Sequence, residues 1–362
     1  MAASIKLVAS ILSLVSVGIA EQPAWAQCDG SGWTDSTTCV SGTYCSSANP
    51  YYWQCVPGGA TPAPGTTSTT SGWITSITKT SAASTPSASI TGTKYMFIFG
   101  DSYTATNGFN GFNANGAHPS ASNPIGNPSL PGSTFSGGYN WVGDVLTKYK
   151  TSTTLGYNFA VGGATVDNTI VKGSTSSDLV TQVQSWSSAV GSKPSWAPWA
   201  GDNAIAGGFF GINDIFNQFW DNATPPYASL AKRYMDEYQI LYNAGVRNFF
   251  VITVPPLQYT PIVLNQSSAG RTRMQQFVEA FNAQLISAFN SFKASKSDIT
   301  VAAVVDSQTP FMTAINSPSA YGARDASCTG NGCLWYDTIH PNPTIQDLLA
   351  QAVANALKGS FF

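Results

Sequence analysis

Residues 95–102, "YMFIFGDS", decide how the rest of the chain is read. Tyr95 to Phe99 is apolar at every position, and the run stops abruptly at Gly100-Asp101-Ser102. Unbroken apolarity, rather than alternation, marks a strand covered on both faces. The small polar residues that follow are turn formers. Ser102 is therefore either an ordinary turn serine or a nucleophile presented at the end of a strand. Gly-Asp-Ser by itself does not choose between them; the remainder of the chain does.

Four further runs are mostly apolar on both faces: Leu155–Val161, Ala204–Phe210, Asn248–Val254 and Ile299–Val305. Helical stretches lie between them. Leu179, Val183, Trp186 and Val190 make one apolar stripe, and Met274, Phe277, Val278, Phe281, Leu285, Phe289 and Phe292 make a stronger one. A last helix is expected over about Thr344 to Lys358. Strands alternating with helices predict an α/β fold, a doubly wound parallel sheet. Five strands suit the flavodoxin-like order 2-1-3-4-5, whose ligands sit at the carboxyl ends of the strands. This domain is expected to span residues 94–362, with its aromatic helix faces in the core.

Three other parts precede it. Residues 1–20 read as a signal peptide: Lys6 supplies a positive n-region, Leu7 to Ile19 an apolar run, and Gly18-Ile19-Ala20 a small-x-small cleavage site. Ala24-Trp25-Ala26 is a second cleavage candidate, farther from the apolar run. The segment is short for a membrane span, which needs about 20 apolar residues, and no later stretch qualifies. Residues 21–56 are rich in cysteine. Residues 57–93 are rich in Ser, Thr, Pro and Gly with a single charge, Lys79; such a segment buries too little to fold and reads as a linker.

Composition narrows the function. Charged residues are 9% of the chain against roughly 25% in an average soluble protein, and the formal net charge is −2. No basic stripe exists to neutralise phosphates, so nucleic-acid binding is not expected. The six cysteines, Cys28, Cys39, Cys45, Cys55, Cys328 and Cys333, are even in number, which in a secreted chain favours disulfides. Asn222 and Asn265 open N-glycosylation acceptor sequences. A secreted, extracellular monomer that binds no membrane is the expectation.

The carboxyl ends of the strands carry the chemistry. After the first comes Gly100-Asp101-Ser102. After the second, "NFAVGGAT" contains Gly162-Gly163. After the third, "FGIND" contains Asn213-Asp214. Before the last helix, "WYDTIHPN" contains Asp337 and His340. Together these can support acyl transfer. A serine hydroxyl needs a base to take its proton, which His340 can be. Asp337, three residues earlier, can fix the imidazole tautomer. The oxyanion needs preorganised donors: the backbone N–H groups of Ser102 and Gly163 and the side-chain amide of Asn213. Only two histidines exist, and His118 lies in a long Gly/Asn/Pro/Ser loop with nothing nearby to orient it. Each block has a bland reading, as a turn, a helix cap or a structural pair, but all four would have to hold together. No cofactor is called for, and two histidines with scattered carboxylates make no metal cluster.

At these residues the chain resembles the SGNH, or GDSL, hydrolases, whose four blocks occur in order over most of residues 94–345. The resemblance implies Ser102 as nucleophile and oxyanion donor, Gly163 and Asn213 as the other donors, His340 as base and Asp337 as its orienter. Gly163 is preferred over the adjacent Gly162 because it stands five residues after Asn158, where the family usually places its glycine. G-x-S-x-G, the competing serine-hydrolase signature, is absent from the chain.

In the small module, four cysteines within 30 residues predict a stapled mini-domain. Trp25, Tyr51, Tyr52 and Trp53 are more aromatic surface than so small a unit can bury, and flat rings stack on sugars. The stretch from Gln27 to Cys55 resembles the fungal-type family 1 cellulose-binding module. That resemblance implies disulfides Cys28–Cys45 and Cys39–Cys55, a stacking face of Trp25, Tyr51 and Tyr52, and Asn49 and Gln54 as polar helpers. Asp29 stands where a glycine is usual and Trp53 where a small polar residue is common. Cleavage after Ala26 would remove Trp25, which favours Ala20. Joined to a cellulose binder, the large domain resembles the fungal acetyl esterases of carbohydrate esterase family 16. The expected function is a secreted esterase removing acetyl groups from acetylated hemicellulose, in particular xylo-oligosaccharides. The alternatives are a longer-chain GDSL lipase or esterase, and a non-catalytic cellulose-binding protein with an inactive esterase domain.

Overall fold

The apolar runs form one sheet. In a computed structural model of the protein, which describes residues 21–22, 27–29, 36–49, 52–57 and 92–362, contacts divide into two units with the boundary at Ala83/Ser84. The signal segment 1–20 and residues 58–91 of the linker lie outside the described residues.

In the first unit, β1 (Gln27–Asp29), β2 (Thr43–Asn49) and β3 (Tyr52–Pro57) form an antiparallel sheet in the order β1-β3-β2. Cys45 and Cys55 are directly opposite each other across β2 and β3. Disulfides Cys28–Cys45 and Cys39–Cys55 cross-link it, with Cys28 and Cys55 fully buried.

The second unit is built on β4 (Lys94–Gly100), β5 (Thr154–Asn158), β6 (Ala204–Phe209), β7 (Asn248–Ile252) and β8 (Val301–Val305). They are all parallel in the order β5-β4-β6-β7-β8, which is the 2-1-3-4-5 order expected. The helices are α1 (Trp141–Asp144, continued by a π-turn to Tyr149), α2 (Leu179–Trp186), α3 (Ile212–Trp220), α4 (Tyr227–Asn243), α5 (Pro261–Leu264), α6 (Ser268–Ala294), α7 (Gln308–Ile315) and α8 (Pro343–Ala356). Aromatic contacts identify the layers. On one face Phe97 of β4 meets Trp186 of α2, and Phe249 of β7 meets Tyr238 of α4 and Phe292 of α6. On the other, Phe250 meets Trp141 of α1, which packs with α8.

The central strand explains its two glycines. A Cβ at Gly207 would collide with the Phe250 ring, and one at Gly208 with the hydroxyl of Tyr234. Each glycine leaves room for an aromatic side chain on its own face of the sheet.

Three strands end earlier than their apolar runs, the third by one residue at Phe209, and one begins later. The second run, read to Val161, leaves the ladder after Asn158, whose side chain turns to hold the loop after Ser102. The fourth stops at Ile252: the Thr253 N–H still donates to the Val305 carbonyl, but the Thr253 carbonyl accepts from the Ser307 hydroxyl, and Val254 bonds to the Asn282 and Gln308 side chains. The fifth starts at Val301, opposite Asn248. This edge strand is half-buried at Ala302–Val304 rather than covered throughout. The last helix runs 343–356 rather than 344–358, started by Asn342, whose side chain accepts from the N–H groups of Thr344 and Ile345.

Candidate active site

β4 delivers Ser102, and Gln182 fixes where β4 ends. The Gly100 N–H donates to Gln182 Oε1 (2.9 Å), and Gln182 Nε2 donates to the Gly100 carbonyl (2.8 Å). A Cβ at residue 100 would meet the Thr104 side chain at 2.7 Å, so glycine allows the next turn to close against the strand. In that turn the N–H groups of Thr104 and Ala105 donate to the Asp101 carbonyl, and that of Tyr103 to Asp101 Oδ1 (2.9 Å). Asn140 Nδ2 donates to the carbonyls of Thr104 and Ala105, and Asn158 Nδ2 to the carbonyl of Thr104 and the hydroxyl of Thr106. The serine thus sits on a turn clamped from three elements.

His340 Nε2 lies 2.9 Å from Ser102 Oγ, and His340 Nδ1 lies 2.7 Å from Asp337 Oδ2. A carboxylate accepts only, so Nδ1 carries the proton and Nε2 is left to accept from the serine hydroxyl. Asp337 Oδ1 accepts from the N–H groups of Ile339 and His340, each at 2.8 Å. Partial burial works against the Asp337 charge, but these bonds and the imidazole outweigh it and hold the carboxyl below its usual range. Tyr103, buried beneath, donates from its hydroxyl to the Ile339 carbonyl (2.6 Å), tying the histidine loop to the serine turn. The Cys328–Cys333 disulfide closes the loop just before, and Asn342 donates to the Cys333 carbonyl.

Donors for an oxyanion lie alongside. The N–H groups of Ser102 and Gly163 have no acceptor among the described residues, whereas the Gly162 N–H donates to the Gly108 carbonyl (3.0 Å). Gly163 has φ +78°, and a Cβ there would collide with the Ser174 hydroxyl; both demand glycine. Asn213, in the first turn of α3, spends one side-chain N–H on the Ala164 carbonyl (2.9 Å), and its second is not engaged there. His118 is elsewhere, stacked on Trp196 with ring centroids 3.8 Å apart.

Residues 96–353 match the family model described as GDSL-like lipase/acylhydrolase. The chain belongs to this family. An acetylesterase from Thermothelomyces thermophilus is 46% identical over 280 residues, covering 75% of this chain and 90% of that protein. An acetylxylan esterase structure from Geobacillus stearothermophilus aligns at 16% identity with a TM-score of 0.41, covering 74% of this chain and 94% of that one. Residues 24–52 match the fungal cellulose binding domain. Endo-1,4-β-xylanase C of Phanerodontia chrysosporium is 54% identical over 56 residues, 16% of this chain and 14% of that protein.

Several residues around the GDSL site carry no sequence motif. Gln182 is the one with a signal: it is the i+3 member of the apolar stripe begun by Leu179, a polar residue on a buried face. Asn140 and Tyr103 have none, because their partners are up to 236 residues away. Asp101 belongs to the motif but has no part in the acyl-transfer reading. It is fully buried, and burial first, with the charge of Asp214 adding, pushes its carboxyl up to about 8 against the Tyr103 N–H. Of the cellulose-module residues, Asn49, Tyr52 and Gln54 lie on β2 and β3 by backbone, their side chains lie outside the described residues, and Trp25 and Tyr51 lie outside altogether. Asn222 and Asn265 are exposed, at the ends of α3 and α5.

Proposed function

We propose that the protein is a secreted serine esterase that removes acetyl groups from acetylated hemicellulose, above all xylo-oligosaccharides, with residues 21–56 anchoring it to cellulose through the 57–93 linker. The observation that carries this reading is the Ser102–His340–Asp337 chain of hydrogen bonds at 2.9 and 2.7 Å beside two unengaged N–H groups. Ser102 Oγ attacks the acetyl carbonyl as His340 Nε2 takes its proton. The oxyanion is received by the N–H groups of Ser102 and Gly163 and by Asn213. His340 then returns the proton to the departing sugar oxygen, and water, activated the same way, frees acetate from Ser102. Asp337 stays ionised, orienting the imidazole and stabilising its cation. The acetylesterase relative supports the acyl group, and the cellulose-binding match supports the setting.

Acetate release from acetylated xylo-oligosaccharides by the wild type and by Ser102→Ala tests the reading. Release is expected to vanish in the variant while its circular dichroism is unchanged. Release that survives in Ser102→Ala would sink the mechanism. Activity that rises with acyl length on a series of esters would move the assignment to a longer-chain esterase.

A further inference from the structure

The proton returned by His340 locates the leaving group. The sugar oxygen that accepts it must come within hydrogen-bond reach of Nε2, so the sugar ring lies over whatever borders the imidazole. Among the described residues two aromatic rings do. Tyr103 is tilted against it at 5.7 Å but is fully buried, so it offers a sugar nothing. Phe135 lies nearly parallel to the imidazole, with centroids 5.2 Å apart and planes at 28°. It is half-buried, and it leads outward. Phe109 stands edge-on to it at 5.1 Å and 82°, and is 65% exposed.

The two phenylalanines also border the oxyanion corner. A Cβ at Gly162 would meet Phe135 Cζ at 2.6 Å and Phe109 Cε1 at 2.9 Å, while one at Gly163 would meet Ser174. Gly162 is thus the residue that lets both rings close onto the loop beside Gly163. A single exposed apolar side chain normally needs no explanation. Phe109 differs in packing edge-on against a ring that itself lies on the histidine. Tyr336, half-exposed and next to Asp337, leans on Gly137 of the same loop.

We infer that Phe109 is the carbohydrate platform of the leaving-group side, its free face stacking on the sugar whose acetyl group is removed. This rests on the sugar-acetate reading above. Phe109 is a specificity-determining residue: it touches the sugar, not the reacting atoms. A pyranose has apolar C–H faces that cover an aromatic ring, and a small alcohol has none. The platform therefore acts only on sugar esters.

Steady-state kinetics of the full chain test this with two substrates, an acetylated xylo-oligosaccharide and ethyl acetate, which has no ring to stack. Phe109→Ala is expected to lower kcat/KM on the oligosaccharide about five- to tenfold, mainly through KM, as loss of one covered ring face implies. Ethyl acetate kinetics should change less than about twofold, and Phe109→Tyr should restore the oligosaccharide value. Equal losses on both substrates would show that Phe109 only props Phe135 and His340, and would overturn the inference. So would an unchanged oligosaccharide value. A wild type that hydrolyses ethyl acetate but releases nothing from the oligosaccharide would overturn the substrate reading itself, and the platform with it.

Discussion

At the scale of single residues, the acid groups have been given opposite environments. Asp337 is partly exposed and accepts three hydrogen bonds, so it stays ionised. Replacing it by Asn removes the acceptor that selects the Nδ1–H tautomer, and kcat is expected to fall roughly 10³- to 10⁴-fold with little change in KM. Asp101 and Asp214 are fully buried, and burial pushes their carboxyls up to about 8 and about 7. Acids raised in this way hold protons in the folded chain that the unfolded chain has released. Their contribution to stability is greatest in acid and declines as the pH rises from about 4, the ordinary carboxylate value, toward 8. Urea denaturation at pH 5 and pH 8 should therefore find the protein more stable at pH 5. Asp101→Asn with Asp214→Asn should flatten that difference; a slope unchanged in the double variant would place its origin elsewhere. Asp337 acts in the other sense, its contribution fading as the pH drops through its lowered pKa.

At the scale of elements, α2 and the end of β4 act together. Gln182 projects from the buried face of α2 and makes two hydrogen bonds to Gly100, two residues before the serine. Gln182→Leu keeps the volume but leaves the Gly100 N–H unsatisfied, a cost of about 1–3 kcal/mol. A lower melting temperature together with a reduced kcat on sugar and simple esters alike is the expected result. A loss of stability with kcat intact would make Gln182 a core residue only. This clamp was half legible: Gln182 stands out as polar on an apolar stripe, but nothing local tells it what to bond. The strands were more legible than their ends. Runs such as 95–99 and 249–252 are apolar throughout because helices cover both faces. Phe159–Val161 and Thr253–Val254 are equally apolar or β-forming, yet they leave the ladder, Ala160 where its N–H turns back to Asn158 Oδ1 and Val254 where the Asn282 and Gln308 side chains take its backbone bonds.

At the scale of the whole molecule, the stapled module and the esterase domain are separate units of one chain. Attachment and catalysis should then be separable. In the full chain, Tyr52→Ala is expected to lower retention on microcrystalline cellulose several-fold while kcat/KM on a soluble acetylated oligosaccharide is unchanged. A pull-down equal to wild type would remove Tyr52 from the binding face.

The sequence alone was enough for the strand order, the family and the catalytic triad candidates. Burial on both faces writes itself as unbroken apolar runs, and acyl transfer demands a small set of residue types at the strand ends. With only two histidines in the chain, and an aspartate in reach of one, the base is narrowed to His340. What only the tertiary structure decided lies in contacts between distant residues. Ser102 and His340 are 238 positions apart, and their 2.9 Å approach depends on the whole sheet. The Gly162 N–H is consumed by Gly108 and the Gly163 N–H is not, a distinction set by how the 106–138 loop folds back. That same loop carries Phe135 onto the imidazole and leaves Phe109 in solvent. It has no apolar period, so its conformation follows from the partners it meets rather than from its own residues.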